Sequence, residues 1–440
     1  MKKLLILLLL LLAGTAGYYV TFGSARLTQE LKGRVESELQ LLQKNGFKIE
    51  ERKIEARREH FDIRYADPLK IARYLRSRNI DLSDEDAEKL KDLKIGIDLE
   101  YLRGVYSALS ADIYPVAFPP ALLEGESPQS RENLRRIANE KIFLLHIDIN
   151  KLFTSFKGYL KDIDATFRDV ETLRIVSRGF KFGGSYSRDA LLSSTHSIDE
   201  LNVTEGHNAT FRVKNLSGNY ERSGKTLYDY SSGYHIEKLS LSDEEGAALL
   251  LEKLKIESSG KSDSRLASSD FGFHLERVDI DESHGRHSLQ DLNGRFSLAN
   301  LPVDALEKMR RLDSHDQEGF NQAFRSLFTE GIILKMEDLS ARTMREKNGR
   351  TVDGFEANAT VTIDKIADLK RLEENPFALL GLVDATVHIA LSNALYLSLM
   401  EQPEFTIAML IFRPISKEKR KIFNIKYRHG SLLINGQKAL

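Results

Sequence analysis

Over much of this chain, apolar and charged residues alternate with a period of two. Phe143, Leu145, Ile147 and Ile149 are interleaved with His146, Asp148 and Asn150. Phe211 and Val213 lead through Asn215-Leu216 to Gly218-Asn219, which reads as a turn into a returning strand at Tyr220. Ile236, Leu239 and Leu241 precede a turn signal at Asp243–Gly246, and Leu250, Leu254 and Ile256 precede another at Ser258–Lys261. Phe271, Phe273, Leu275, Val278 and Ile280 run into His284-Gly285, and Phe296, Leu298 and Leu301 close the series. Such alternation puts one face of an antiparallel sheet on a core and the other in water. The runs share no fixed period, so no solenoid is predicted.

Elsewhere the apolar spacing lengthens to three and four. Leu27, Leu31, Val35, Leu39 and Leu42 predict an amphipathic helix over 26–45, ended by Asn45-Gly46 and read as a stalk. Phe47–Tyr65 predicts a hairpin, and Pro115–Pro120 a turn-rich break. Ser83, with Asp86 three residues on, caps a short helix, and Ser127-Pro128 opens a charged one to Lys141. Pro302–Glu330 is helical in pattern, and Ile332–Leu339 and Ala357–Ile363 return to strand character. Helical patterns recur over Ile363–Leu372 and Phe377–Leu399. The latter is apolar enough to suggest a membrane span, yet Gly381 and the strand-like Val387-His388-Ile389 favour a buried strand followed by a helix. Phe423–Gln437 predicts a closing hairpin around His429-Gly430.

At the N-terminus, Met1-Lys2-Lys3 precedes an uncharged run from Leu4 to Ala25, with nine Leu or Ile residues over Leu4–Leu12. Tyr18, Tyr19 and Phe22 sit where an interfacial aromatic belt belongs. At about 1.5 Å per residue, residues 4–22 span a hydrocarbon core of about 30 Å. A retained signal anchor is favoured over a cleaved peptide, because an aromatic belt has no use in a discarded segment. The alternative cleavage positions are Gly14/Ala16 and Gly23/Ala25. The expected location is a bacterial inner membrane, single-pass, with the C-terminal body in the periplasm. The predicted fold class is α+β, β-rich: an N-terminal transmembrane helix, then an extended, curved antiparallel sheet packed with a few helices. The expected domains are 1–25, signal anchor; 26–141, helical stalk and N-terminal α+β region; 142–301, antiparallel β-rich region; and 302–440, C-terminal α+β region closing in a β-hairpin.

Composition narrows the function classes. The 440 residues carry 64 Lys and Arg against 65 Asp and Glu, so the global field of a general nucleic-acid binder is missing. There is no Cys, which excludes disulfides, thiolate zinc sites and thiol nucleophiles. Ser223-Gly224-Lys225-Thr226 has the ending of a phosphate-binding loop, but position 219, where that loop needs Gly, is Asn, and no helical pattern follows. It reads as a hairpin turn. His284 and His287 stand three apart, with Asp279, Asp281 and Glu282 as further ligands for a metal hypothesis; Gly285 and the polar flank favour a solvated turn. His146, His235 and His274 fall in strand runs, where a surface-facing position accounts for them. No nucleophile elbow, zinc-protease helix or EF-hand loop occurs, so no catalytic residue and no cofactor is assigned. Asn202 and Asn358 are candidate N-glycosylation acceptors, each in N-x-T with Glu200 or Glu356 two residues before; Asn208 and Asn215 have the plain sequon.

The tail carries a resemblance. Tyr427-Arg428-His429-Gly430 followed by Leu432-Leu433-Ile434-Asn435-Gly436-Gln437-Lys438 resembles the closing motif of the YdgA/DUF945 family of Gram-negative cell-envelope proteins. An N-terminal anchor with an aromatic exit, a β-rich middle and a helical segment before the tail follow in the family's order. The resemblance implies an inner-membrane-anchored periplasmic protein and assigns no reaction. The leading expectation is a non-catalytic scaffold or envelope-maintenance protein. The alternative is a lipid or hydrophobic-ligand carrier with a β-sheet groove, for which Phe271, Phe273, Phe180 and Phe182 are compatible lining residues. A cell-wall hydrolase stands third. Expected partners are the inner membrane through residues 4–22 and lipid or envelope proteins, with no nucleic acid. Self-association through an exposed sheet edge stays open. Helices over Pro302–Glu330 and Phe377–Leu399 that fully cover the apolar face would leave no room for lipid; an open trough would favour the carrier.

Overall fold

The computed structural model describes residues 28–438 except 78–79, 81, 104–105, 125–126, 169–171, 188–189, 207–208, 225, 244–245, 283–284, 312–316, 346–350, 366–379, 403–404, 407–408 and 410–412. The expected anchor therefore lies outside the described residues, and no described helix is long and apolar enough to cross a membrane. The chain is a β-rich α+β protein that divides into two compact units between Asn219 and Tyr220. The pattern changes at 141/142 and 301/302 mark changes of element type within those units.

The first unit contains α1 (Thr28–Lys44), β1 (Phe47–Ile54), β2 (Arg58–Tyr65), α2 (Pro68–Ser77), α3 (Asp84–Lys89), β3 (Lys94–Tyr101), β4 (Ser107–Ala117), α4 (Pro120–Leu123) and α5 (Pro128–Asn139). There follow β5 (Leu145–Asn150), β6 (Ser155–Leu160), β7 (Ile163–Arg168), β8 (Thr172–Arg178), β9 (Lys181–Ser187) and β10 (Ala190–Glu205). β1 to β6 pair in chain order, each antiparallel to the next. Beyond them, β6 meets β9, β7 meets β8, and β10 meets both β8 and β9. The registers make β6–β7 one strand broken at Lys161-Asp162, and β8–β9 one strand broken at Gly179-Phe180. At this break Gly179 has φ +65°, its N–H donates to Asp162 at 2.9 Å, and a Cβ would lie 1.9 Å from the Asp199 carboxylate. Only glycine fits there.

One face of β2–β5 presents Phe61, Ile63, Ile95, Ile97, Leu99, Leu109, Ile113, Leu145, Ile147 and Ile149, all buried. Leu31, Val35, Leu39 and Leu42 of α1, Ile71 of α2, and Leu134 and Ile137 of α5 join them in one cluster. α1 is thus a lid on the core and not a free stalk, since its aliphatic stripe is removed from water at about 1.5–3 kcal/mol per side chain. The capping residues are as expected. The Ser83 hydroxyl accepts from the Asp86 N–H, and the Ser127 hydroxyl accepts from the Ser130 N–H. The break expected at Pro115 is instead strand. Pro115 pairs with Ile95, while β5 pairs with β4 only as far as Ile113, so the proline sits where the outer edge is open.

β11 (Ala209–Arg222) runs across the division without the turn expected at Gly218-Asn219. The second unit then has β12 (Tyr230–Ser242), β13 (Ala248–Ser262), β14 (Leu266–Glu282), β15 (Gly285–Pro302), α6 (Val303–Arg311), α7 (Gln317–Ser326), a 3-10 turn over Leu327–Glu330, β16 (Ile332–Arg345) and β17 (Thr351–Ile363). It ends with β18 (Val383–Ser392), α8 (Asn393–Leu399), β19 (Ile415–Lys417), β20 (Arg420–Arg428), β21 (Ser431–Ile434) and β22 (Gln437–Lys438). β12 to β18 pair in order, β18 pairs with β20, and β20 with β19 and β21. The turn expected at Ser258–Lys261 lies a few residues later, where the Asp263 carboxylate accepts from the N–H groups of Arg265 and Leu266. Val383–Leu399 is a strand and a helix, as expected. Most of Ile363–Leu372 falls outside the described residues. The tail has two tight turns, His429-Gly430 (φ 45° and 82°) and Asn435-Gly436 (φ 50° and 82°), both of the I′ kind that matches strand twist.

A charged seam crosses these strands. Pairing skips Glu237 opposite Lys253, Lys253 opposite Glu276, Glu276 opposite Asp291, and Arg342 opposite Gly354. Lys253 meets Glu276 at 2.7 Å, and Arg342 meets Asp291 at 2.8 Å. At the seam the apolar step lengthens from two residues to three on each strand: Ile236 to Leu239, Leu251 to Leu254, Leu275 to Val278, Leu289 to Leu292. Apolar residues therefore face apolar residues on both sides of it.

Leu39→Ala should destabilise the full chain by about 2–5 kcal/mol, the usual range for a buried leucine. Thermal unfolding in mild detergent checks this; an unchanged midpoint would mean that α1 is not part of the core.

Candidate functional site

Two surfaces stand out, one in each unit. In the second, register aligns two apolar rows. Ile256, Phe273, Gly294, Leu339, Ala357, Ile389 and Phe423 form one, and Phe271, Phe296, Met336, Ala359, Val387, Ile425 and Ile434 the other. The alternate positions carry polar rows, such as Lys255–His274–Asn293 and Asn358–His388–Asn424. The sheet thus has one apolar and one polar face.

Helices cover the apolar face only in part. α6 and the 3-10 turn cluster with Ala267, Leu298, Leu301 and Ile332, while α8 clusters with Val352, Phe355, Ile389, Leu391 and Phe423. Ile256, Phe271, Phe273, Phe296 and Met336 belong to neither cluster. The three phenylalanines lie 6.3–6.4 Å apart, centroid to centroid. Gly294 makes room for one of them, since a Cβ there would come within 2.2 Å of the Phe273 ring. Tyr234, Leu241, Phe271, Ile280 and Leu334, all in the apolar ladder, keep 39–45 % of their surface exposed. A contiguous apolar surface of this kind on a folded chain usually marks a binding site. Phe180 and Phe182 behave differently; both pack against the core of the first unit.

The first unit's surface is polar. On the side of β2–β5 away from the core, His60, Asp98, Asp112 and His146 stand opposite one another on four consecutive strands. His60 Nδ1 is 2.7 Å from Asp98, and His146 Nδ1 is 2.5 Å from Asp112. Each imidazole also meets an aspartate two residues on in its own strand, Asp62 at 3.6 Å and Asp148 at 3.3 Å. The Tyr114 hydroxyl and the Lys141 ammonium donate to Asp98, the Ser107 and Ser110 hydroxyls donate to Asp148, and Tyr159 stacks on His146. The four residues line a cleft of about 390 Å³ with Arg58, Glu100 and Arg103. The hydrogen bond to Asp112 holds the His146 imidazole above its ordinary pKa. Burial pushes Asp148 up, but its serine and histidine partners outweigh that and leave it low. Burial, with the nearby Glu51 and Glu50 charges, raises Asp62 against the pull of His60 and Lys94. His146, expected at a surface-facing strand position, is instead buried, because its imidazole is enclosed by Asp112, Asp148 and Tyr159. Its partner Asp112 is 34 residues away, and the signal that was present is the repeated His-x-Asp of residues 60–62 and 146–148.

The sequence candidates are scattered. Asn202 is within β10 opposite Val176, its side-chain oxygen buried without a hydrogen-bond partner, and Asn358 is exposed within β17 opposite His388. Asn208, Lys225 and His284 lie outside the described residues; His287 is opposite Ile280. Among the described residues no group of three His, Asp or Glu side chains is placed to hold a metal ion. Residues 223–224 and 226–229 belong to a connection pinned by Asp229, whose carboxylate accepts from the N–H and hydroxyl groups of Thr226 and Ser262 at 2.7–3.0 Å.

Residues 154–408 match the model of the family described as "Bacterial protein of unknown function (DUF945)". The match takes in β6 to α8 and leaves out both the polar row and the tail hairpin. No curated protein and no solved structure matches the chain.

The hydrogen bonds from Thr226 and Ser262 lower Asp229 to about 2. Its contribution is therefore complete above the unfolded carboxylate value near 4 and lost as pH falls toward 2. Hydrogen exchange of residues 223–229 should accelerate over that window relative to the intrinsic rate, and in Asp229→Asn it should be fast already at pH 6.

Proposed function

We propose, on the premise that the chain belongs to the DUF945 family of bacterial proteins, that its second unit binds the acyl chains of lipids along its apolar sheet face. The carrying observation is that Phe271, Phe273 and Phe296 pack on one another outside both helix-covered clusters while Phe271 stays 41 % exposed. Burial of such a face is worth about 25 cal/mol per Å² of apolar area, and each acyl methylene it shelters adds about 0.8 kcal/mol. The uncovered phenylalanine floor lies within the matched residues 154–408, so the reading concerns the part of the chain that defines the family.

Lipid is favoured over a folded partner by two features. The uncovered floor on β13–β16 is bordered by the α6 cluster further along the strands and stops short of the α8 cluster on β17–β20, a narrow apolar surface that suits a flexible chain better than a second globular surface. The apolar run of residues 4–22, read as an inner-membrane anchor, would also keep the body beside a bilayer. On this proposal the protein sits in the envelope with its body in the periplasm, and the scaffold reading becomes the alternative outcome.

Native mass spectrometry of the full chain purified in mild detergent should show phospholipid or fatty-acid adducts that survive detergent exchange. Phe271→Asp, at a position that tolerates solvent, should weaken binding of a fluorescent long-chain fatty acid at least about tenfold with little change in melting temperature. A clean apo mass and no fatty-acid binding by the wild-type chain would return the scaffold reading to first place.

A further inference from the structure

Asp98 and Asp112 are directly opposite each other on adjacent strands, where like charges destabilise a sheet. A histidine flanks each of them on the outer side, and the arrangement repeats: His60-Phe61-Asp62 on β2 and His146-Ile147-Asp148 on β5 bracket the two central aspartates. Four carboxylates are thus gathered around two imidazoles and the Lys141 ammonium, with Lys53 opposite His60 on β1 and Lys157 opposite Asp148 on β6. With the His146 imidazole charged, Asp112 and Asp148 share its cation; with it neutral, Asp112 faces Asp98 without that cation.

We propose that the row His60–Asp98–Asp112–His146 carries a proton-operated clasp at its β4–β5 end, in which the proton on the His146 imidazole holds these two strands together and its loss loosens their polar side. The groups facing the imidazoles are Lys53 on β1, Asp98 on β3, Asp112 on β4, Asp62 and Asp148 on their own strands, and the Tyr159 ring on β6, where Lys157 also stands opposite Asp148. Lys141 and Tyr114 act on Asp98, whereas Asp112 is met by His146, so the β4–β5 half is the more dependent on its proton. His146 is also 94 % removed from solvent, which withholds water as a substitute for Asp112. The sign follows from the pairing. His146 gains carboxylate partners on folding and so holds its proton more tightly folded than unfolded. The clasp is therefore complete below the ordinary histidine value of about 6.5 and opens as pH rises through the higher folded value. The row lies outside residues 154–408, so the inference is independent of the lipid-binding reading.

The test is amide hydrogen exchange by mass spectrometry on the full chain in mild detergent from pH 5.5 to 8.5, corrected for intrinsic rates, with exchange of the histidine ring C–H read in the same samples. Protection of residues 107–113 and 145–150 should fall with rising pH by up to about tenfold per pH unit, the limit for one linked proton. The His146 ring should titrate above the ordinary value. His146→Gln should reduce protection at pH 5.5 to the wild-type level of pH 8.5. Asp112→Asn, which removes the like-charge pair and keeps a hydrogen-bond acceptor for the imidazole, should stay protected at pH 8.5. If His146→Gln fails to fold, the Asp112→Asn profile and the wild-type ring titration still decide. A wild-type profile flat in pH, a His146 ring titrating at the ordinary value, or Asp112→Asn losing protection at high pH as the wild type does would each overturn the proposal.

Discussion

In both units, side-chain parity governs what the strands can do. A strand that slips by one residue turns all its apolar side chains to the other face, so a long strand holds one face only if any break is matched by its neighbours. The seam through Glu237, Lys253, Glu276, Asp291, Arg342 and Gly354 meets this condition. Strand after strand spends one extra residue at the same cross-strand position, and the apolar ladder resumes in phase beyond it. The break at Lys161-Asp162 and Gly179-Phe180 does the same work in the first unit, with Asp162 and Asp199 supporting the glycine. The strand-long apolar surface follows from this registration more than from the identity of any one hydrophobic residue.

The two units use their apolar faces differently. In the first, three helices bring aliphatic stripes onto the sheet, and Phe61, Ile97 and Ile113 are left essentially without solvent contact. In the second, the strands run to 18 residues while the helices that pack on them are short, so the sheet presents more apolar length than they can cover. The polar faces differ as well. Lys255–His274–Asn293 and Asn358–His388–Asn424 are rows of mostly uncharged partners, whereas the first unit concentrates aspartate and histidine in one place.

What could be read from the sequence was what local periodicity determines. The alternating runs of β5, β14 and the tail, the caps at Ser83 and Ser127, and the family itself were legible. The family resemblance, however, rests on tail residues 427–438, outside the 154–408 that match the family's model. Two glycine-containing turns were misplaced because glycine answers to packing as well as to turning. Gly260 sits inside β13, where a Cβ would strike the Tyr228 carbonyl and the Tyr230 ring. The role of α1 was hidden because an amphipathic stripe shows that a face is buried and not what buries it. The Asp–His row was hidden because its members come from β2, β3, β4 and β5, and cross-strand pairing over tens of residues leaves no local trace.

The tail hairpin has a consequence for chemical ageing. Asn-Gly is the sequence most prone to deamidation in a mobile chain, because the following amide nitrogen can swing onto the asparagine carbonyl and close a succinimide. Asn435-Gly436 is denied that swing. The Asn435 side-chain oxygen accepts from the Asn424 N–H at 2.8 Å, its nitrogen donates to the Arg413 carbonyl at 2.6 Å, and its backbone N–H donates to the Asn424 carbonyl at 2.7 Å. The same asparagine that shapes the turn is thereby kept from converting itself to aspartate. The lifetime of this residue is set by how seldom the last hairpin opens.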